Sequence, residues 1–318
     1  MPRLVLNPKR YFNFIRFRFN KYCLHNLEYF MNFAFLGSGE YPPIFFIGAP
    51  RTGSTLMIQV ITDSFDVGYL TNNHCRWFGM PALYEKFYPK SSKVKKSSDY
   101  KSNKGVAKGN HAPAECGEWW YRFFTREPAY TPLKKMDIKK MVRFRCSVLS
   151  MMGAFKKPIV FKNLYASFRI QVINKCFPNA LYIITNRNEI ANAHSLLKTR
   201  LELTGSYDKW WSMPPPNVSD LIKLAGHEQV VEQIRAIKMI INKDLKYCGI
   251  KSSSIFEISY ENFCDNPSLI IDEFEKFLDF NGVKVRRRDQ IPLTFQKSDK
   301  IQINKKVYEE MKSYAENN

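Results

Sequence analysis

The sequence lacks any apolar run near the 20 or so residues that a membrane-spanning helix needs. It has no Cys-x-x-Cys pair and no internal repeat. The first absence removes any transmembrane span from the expected fold. The second, with only five scattered histidines, leaves no zinc site and no metal centre to expect. The third excludes a solenoid or propeller. The seven cysteines, Cys23, Cys75, Cys116, Cys146, Cys176, Cys248 and Cys264, are odd in number. With no cleavable leader evident, they point to free thiols in a reducing, cytoplasmic compartment. Acidic residues are also scarce: Asp and Glu number 29 against 49 Lys and Arg, for a net charge of +20. A surface that basic attracts anions such as nucleotides, acidic glycans or lipid headgroups, but the charge alone names none of them.

What is present reads as one large α/β chain of 318 residues. Short apolar runs at Pro43–Ile47, Val67–Leu70, Pro158–Lys162, Leu181–Ile184 and Ile255–Ile258 have strand character. Between them lie helical patterns at Ser54–Phe65, 114–126, 136–155, Ser167–Cys176, Glu189–Glu202 and 218–247. A further helix is opened by Asn266 and Pro267 and runs to Phe280. Alternating strands and helices predict a mainly parallel central sheet flanked by helices, with the ligand site beyond the carboxyl ends of the strands. The expected organisation is an aromatic and basic segment at 1–40, an α/β domain at 41–285 and a basic tail at 286–318. Within the domain, 72–157 is an insertion on the acceptor side, and 89–110 reads as an exposed polar loop. Residues 10–35 interleave Tyr11, Phe12, Phe14, Phe17 and Phe19 with Arg10, Arg16, Arg18 and Lys21. Such a helix can lie peripherally on an anionic membrane. The preferred expectation is that its aromatics pack on the domain.

The first strand ends in Gly48-Ala49-Pro50-Arg51-Thr52-Gly53-Ser54-Thr55. The two glycines are spaced as in a nucleoside triphosphatase phosphate loop, whose backbone amides and following helix cradle an anion. The lysine that would reach a γ-phosphate is replaced by Ser54, and the cation stands at Arg51. The loop therefore suits a ligand without a γ-phosphate.

Pro50–Thr55 resembles the 5′-phosphosulfate loop of the sulfotransferases that use 3′-phosphoadenosine 5′-phosphosulfate (PAPS). Arg187, after the Leu181–Ile184 strand, and Ser195, eight residues later, match the spacing of the pair that contacts the cofactor's 3′-phosphate in that family. Tyr260-Glu261, followed by Asp265-Asn266-Pro267, resembles the element after its last strand. The resemblance covers roughly 43–70 and 158–282 and implies a P-loop-type three-layer fold. It also implies that Arg51, Thr52, Gly53, Ser54, Thr55, Arg187 and Ser195 bind PAPS, with no metal required.

Sulfuryl transfer, like phosphoryl transfer, needs a cation at the leaving oxygen and a base for the acceptor. Arg51 and then Lys162, which ends a core strand, are the candidate cations. The base is sought in His111-Ala-Pro-Ala-Glu115-Cys-Gly-Glu118-Trp119-Trp120, in the order Glu115, His111, Glu118, with His74 in reserve. The tryptophans suggest stacking on a sugar, hence a carbohydrate or glycolipid acceptor. Arg286–Arg288, Lys297 and Lys300 are available to close over the cofactor but are assigned no role. The competing readings are a kinase-like nucleotide enzyme, which the missing lysine disfavours, and a non-catalytic basic anion-binding protein. No nucleic-acid partner is expected, because charge-driven binding of that kind would leave both anchors without purpose.

Overall fold

The computed structural model describes residues 8–35, 41–89, 99–288, 292, 294–298 and 300–317. The chain opens with α1 (Pro8–Phe19), a π-helical turn (Asn20–Leu24) and α2 (His25–Phe35). Then follow β1 (Ile44–Gly48), α3 (Ser54–Ser64), β2 (Gly68–Tyr69), α4 (Asn72–Arg76), α5 (Pro81–Phe87) and the hairpin β3 (Ser102–Asn103) and β4 (Val106–Ala107). Next come α6 (Gly117–Trp120), α7 (Ile138–Phe155), β5 (Ile159–Lys162), α8 (Ile170–Cys176), β6 (Leu181–Asn186) and α9 (Glu189–Thr204). The last elements are α10 (Val218–Leu221), α11 (Gly226–Tyr247), β7 (Ile255–Ser259), α12 (Tyr260–Asp265), α13 (Pro267–Phe280) and α14 (Lys305–Asn317).

The large sheet is parallel throughout, in the order β2-β5-β1-β6-β7. Its central strand explains the three layers. Ile44, Phe45, Phe46 and Ile47 are all fully buried. Because side chains alternate along a strand, Phe45 and Ile47 enter one core while Ile44 and Phe46 enter the other. The neighbouring strands repeat the division: Tyr182 and Ile184 lie opposite Leu181 and Ile183, and Phe161 lies opposite Val160. A continuous apolar run is thus what a doubly covered strand requires. One core is closed by residues of α6–α9, α11 and α14, the other by those of α3, α12 and α13. The register pairs Gly48 with Thr185 and Asn186 with Ser259, which brings the carboxyl ends of β1, β6 and β7 level.

Several elements depart from expectation. The helix expected over 114–126 is reduced to α6 and turns, because Cys116 takes a left-handed conformation (φ 47°) and Trp119, Trp120, Phe123 and Phe124 all turn into the core. The long helix at 218–247 is interrupted at 222–225: Gln229 Nε2 donates to the Leu224 carbonyl, and Glu228 turns back to accept from the Ala225 amide, opening a new helix. The polar loop at 89–110 contains the β3–β4 hairpin, while its residues 90–98 lie outside those described. The basic tail carries α14, whose Val307, Met311, Tyr314 and Ala315 pack on the core beside α9 and α11.

The expected packing of the N-terminal aromatics holds for Phe17, which lies against Phe78, and fails for the others. Tyr11, Phe12, Phe14, Ile15 and Phe19 are 47–63% exposed. The surface that α1–α2 turns to the domain is instead held by Asn20, Leu24 and Glu28, which are buried. Among the described residues no helix is long and apolar enough to cross a membrane.

Candidate active site

A cleft of about 900 Å³ opens beyond the carboxyl ends of β1, β5 and β6. Its lining includes Arg51, Gly53, Ser54, Thr55, Glu115, Lys162, Arg187 and Ser195. A second cavity of about 930 Å³, lined by Tyr130, Trp210, Pro214–Pro216 and Tyr247, holds none of these residues and is the less informative of the two.

The phosphate loop is fixed from below. Gly48 has φ 150°, and a β-carbon there would lie 2.5 Å from Thr185 Oγ1, so only glycine lets β1 leave the sheet so close to β6. The Gly48 amide donates to Ser167 Oγ at 2.9 Å. Thr52 does not line the cleft. It is buried beneath, with Oγ1 2.7 Å from Thr185 Oγ1 and donating to the Ala49 carbonyl at 3.1 Å. Asn192 Nδ2 donates to the Pro50 carbonyl at 2.7 Å. Gly53, at φ 84°, precedes α3, and a β-carbon there would strike the Tyr260 ring at 2.3 Å. The amides of Ser54 and Thr55 occupy the first helical turn, where no preceding carbonyl can take them. Arg51 has φ 69°, a conformation unusual for a residue with a β-carbon.

The two anchors expected from the sequence meet. Arg51 Nε donates to Ser195 Oγ at 3.2 Å, and Arg187 Nη1 donates to the Arg51 carbonyl at 3.2 Å. Arg187 also lies over the Tyr260 ring, 4.4 Å from its centroid, and donates through Nη2 to the Ser298 carbonyl at 2.9 Å. Burial, and then the Arg187 charge, hold the Arg51 guanidinium below its ordinary pKa. Glu261 fixes this wall by accepting from the Asn188 amide at 3.0 Å.

Lys162 and Glu115 also come together. Lys162, 5% exposed at the end of β5, forms an ion pair with Glu115 Oε1 and reaches the Gly105 carbonyl at 3.5 Å. Asn163 Nδ2 holds the Glu115 backbone by donating to its carbonyl at 3.1 Å. Gly105, in the hairpin turn, also accepts from Thr55 Oγ1 at 3.0 Å and so links the two halves of the cleft.

The other base candidates lie elsewhere. His111 is half-buried and is not part of the cleft lining. Glu118 is ion-paired with Arg126. His74 is fully buried, 2.7 Å from Thr71 Oγ1 and 3.4 Å from Glu85, and caps α4. Trp119 and Trp120 are core residues with no face toward the cleft. In the tail, Arg287 pairs with Asp272 and Glu275, Arg288 with Asp66, and Lys297 with Asp265. It is their neighbours Phe295, Gln296, Ser298 and Gln302 that roof the cleft. The described residues hold no group of three or more His, Cys, Asp or Glu placed to bind a metal.

The sequence reading did not single out Tyr165, His194, Lys198 or Trp211, all of which line the cleft. Burial, followed by the charges of Arg187 and Lys198, lowers the His194 pKa, and the neutral ring accepts from the Gln302 amide at 3.1 Å. Its place in α9 beside Ser195 was the available signal.

A model described as the sulfotransferase family matches residues 42–284, more than half of the chain. No curated protein sequence matches. Among solved structures, a sulfotransferase from Mycobacterium avium superposes with a TM-score of 0.52 at 12% identity, over 89% of this chain and 69% of that one. One from Alicyclobacillus acidocaldarius aligns over 87% of this chain and 92% of that one, at 14% identity and a TM-score of 0.44. The first is a likeness of fold, and the second is too loose to carry an argument.

Proposed function

The chain belongs to the sulfotransferase family, and on that premise we propose that it moves a sulfuryl group from PAPS to a hydroxyl or amine of a carbohydrate or glycolipid acceptor. The observation that carries this reading is the convergence of Arg51, Arg187 and Ser195 in the cleft that also holds Lys162 and Glu115.

The side chains fit a nucleotide bearing several anionic groups. Among the described residues, six bases line the cleft (Arg51, Lys101, Lys104, Lys162, Arg187, Lys198) against three acids (Asp99, Glu115, Glu202). The Arg187 charge acts on the Arg51 guanidinium, and an anion bound between the two would relieve that repulsion. Arg51, Gly53, Ser54 and Thr55 would hold the 5′-phosphosulfate, with Thr52 bracing the loop, and Arg187 and Ser195 would hold the 3′-phosphate. Bound there, PAPS supplies an activated sulfuryl group whose leaving group is a stable bisphosphate.

In this reading Lys162, backed by Arg51, neutralises charge that develops on the leaving oxygen. Glu115 accepts the proton of the acceptor group. The Lys162 ammonium occupies the Glu115 carboxylate, so the pair must open before Glu115 can meet the acceptor. An anionic donor competes for Lys162 and leaves Glu115 to the acceptor. Tyr165 and Trp211 offer flat faces to a sugar ring, the role the sequence had suggested for Trp119 and Trp120.

The test is a thermal-shift titration with adenosine 3′,5′-bisphosphate beside 5′-AMP and Mg-ATP, followed by transfer of label from radiolabelled PAPS to a panel of glycans and glycolipids. At about 100 times the dissociation constant the bisphosphate should add about 2.7 kcal/mol of stability. A shift with Mg-ATP and none with the bisphosphate would overturn the reading in favour of a kinase.

A further inference from the structure

Residues 1–27 contain no acidic residue; the first is Glu28. Within this stretch α1 and the π turn carry Tyr11, Phe12, Phe14, Ile15, Phe17, Phe19 and Tyr22, each 38–63% exposed. At 3.6 residues per turn, Tyr11, Phe12, Ile15 and Phe19 of α1 fall within an arc of about 100°, and exposed Tyr22 follows on the π turn. Asn13 and Asn20 fall on the opposite side. Asn20 is the side that grips the domain: its Nδ2 donates to the Arg76 carbonyl at 3.2 Å and its Oδ1 accepts from the Gly79 amide at 2.9 Å. The stripe therefore faces away from the body. Its edges are basic. Arg16 lies over Phe12, and Arg18 lies over both Phe14 and Tyr22, at 5.7–6.0 Å from the ring centroids.

The root of this arm is firm. Ala82 N donates to Glu28 Oε1 at 2.8 Å, Arg122 Nη1 donates to Glu28 Oε2 at 3.1 Å, and Phe17 packs on Phe78. Arg122 Nε also donates to His25 Nδ1 at 2.6 Å. A contiguous row of exposed aromatics on an anchored helix marks an interaction surface. Helix α7, which packs on α2, adds exposed Ile138 and Val142 interspersed with Lys139 and Lys140.

We propose that the arm of residues 8–35 docks the protein on a bilayer carrying anionic headgroups, with the Tyr11–Ile15–Phe19–Tyr22 stripe in the interfacial layer and Arg16, Arg18 and Lys21 at the headgroups. Apolar and aromatic side chains on one face, flanked by bases that reach up to phosphates, are what such a surface selects. A second copy of the chain fits less well. A twofold pairing of the stripe would set Arg16, Arg18 and Lys21 of one arm against the same residues of the other, with no acid nearby in the sequence to offset them. The inference is independent of the reading of the cleft, and its test needs no activity.

The experiment is co-sedimentation of the full chain with phosphatidylcholine vesicles, with and without phosphatidylserine, beside sedimentation velocity in the absence of lipid. The protein is expected to pellet with the phosphatidylserine vesicles, less so as salt is raised. The Arg16→Ser, Arg18→Ser variant should bind roughly thirtyfold more weakly. The Phe12→Ser, Ile15→Ser, Phe19→Ser variant should fail to pellet while keeping the parent's thermal unfolding midpoint, because those side chains are exposed. Equal binding to neutral vesicles, or none to either, would overturn the proposal. So would a dimer in solution that the triple variant dissociates without any vesicle binding in the parent.

Discussion

The two halves of the cleft hold their chemistry by different means. On the phosphate side, Gly48, Arg51 and Arg187 follow directly from strands whose register is fixed on both flanks, and the loop is braced by Ser167, Thr185 and Asn192. On the other side only Lys162 ends a strand. Glu115 reaches it from a loop positioned by Asn163, by the bridge of Thr71 with Pro113, and by inward-facing Trp119 and Trp120. A phosphate is the same in every substrate of a class and rewards a rigid cradle. An acceptor differs from enzyme to enzyme, and loops hung on a packed aromatic plug can change without disturbing the sheet.

If that contrast is real, substitutions should separate donor binding from turnover. The largest effect is expected for Lys162→Ala. Turnover should fall about a thousandfold as the leaving-group cation is lost, while the thermal shift with adenosine 3′,5′-bisphosphate persists. Loss of that shift would make Lys162 a binding residue and blur the division. Next, Glu115→Gln keeps the shape and removes the proposed base, so steady-state rates should fall about a hundredfold. Full activity in this variant would place the base elsewhere. Arg187→Ala should act on the opposite half, weakening the bisphosphate about thirtyfold by calorimetry, the scale of a lost charged hydrogen bond. An equal loss with 5′-AMP, which has no 3′-phosphate, would reassign that residue.

A further test concerns the junction of the domain with the N-terminal arm. Burial, then Arg122 and Arg143, depress the His25 pKa from 6.5 to about 4. The unfolded chain takes up this proton near pH 6.5 and the folded one only near 4, so the neutral ring's contribution is present above 6.5 and fades as pH falls to 4. Unfolding midpoints of the parent and of His25→Gln, compared from pH 7 to pH 4, should converge on acidification. A constant difference would remove His25 from that balance.

The same contrast explains what could be read from the amino-acid order. The parallel sheet was legible because each strand is a short apolar run buried on both faces, and the meeting of Arg51 with Arg187 and Ser195 was expected from the glycine spacing of the loop together with the family resemblance in the Arg–Ser spacing. The Lys162–Glu115 contact joins residues 47 apart and leaves no periodic trace. Trp119 and Trp120 read as ligand-facing because composition does not say which way a ring turns. The hairpin that brings Gly105 to Lys162 was hidden in a polar stretch. Helix α14 had a signal, Val307, Met311 and Tyr314 at helical spacing, which the basic charge of the tail obscured.

The roof of the cleft has a consequence for biosynthesis. Ser298 closes on Arg187 and Gln302 on His194, shortly before α14 docks against α9 and α11. A growing chain finishes the sheet and both anchors well before residues 292–317 leave the ribosome. The nascent enzyme would thus present an open, highly basic groove to every polyanion around it, including the ribosome's own RNA, until the tail folds down.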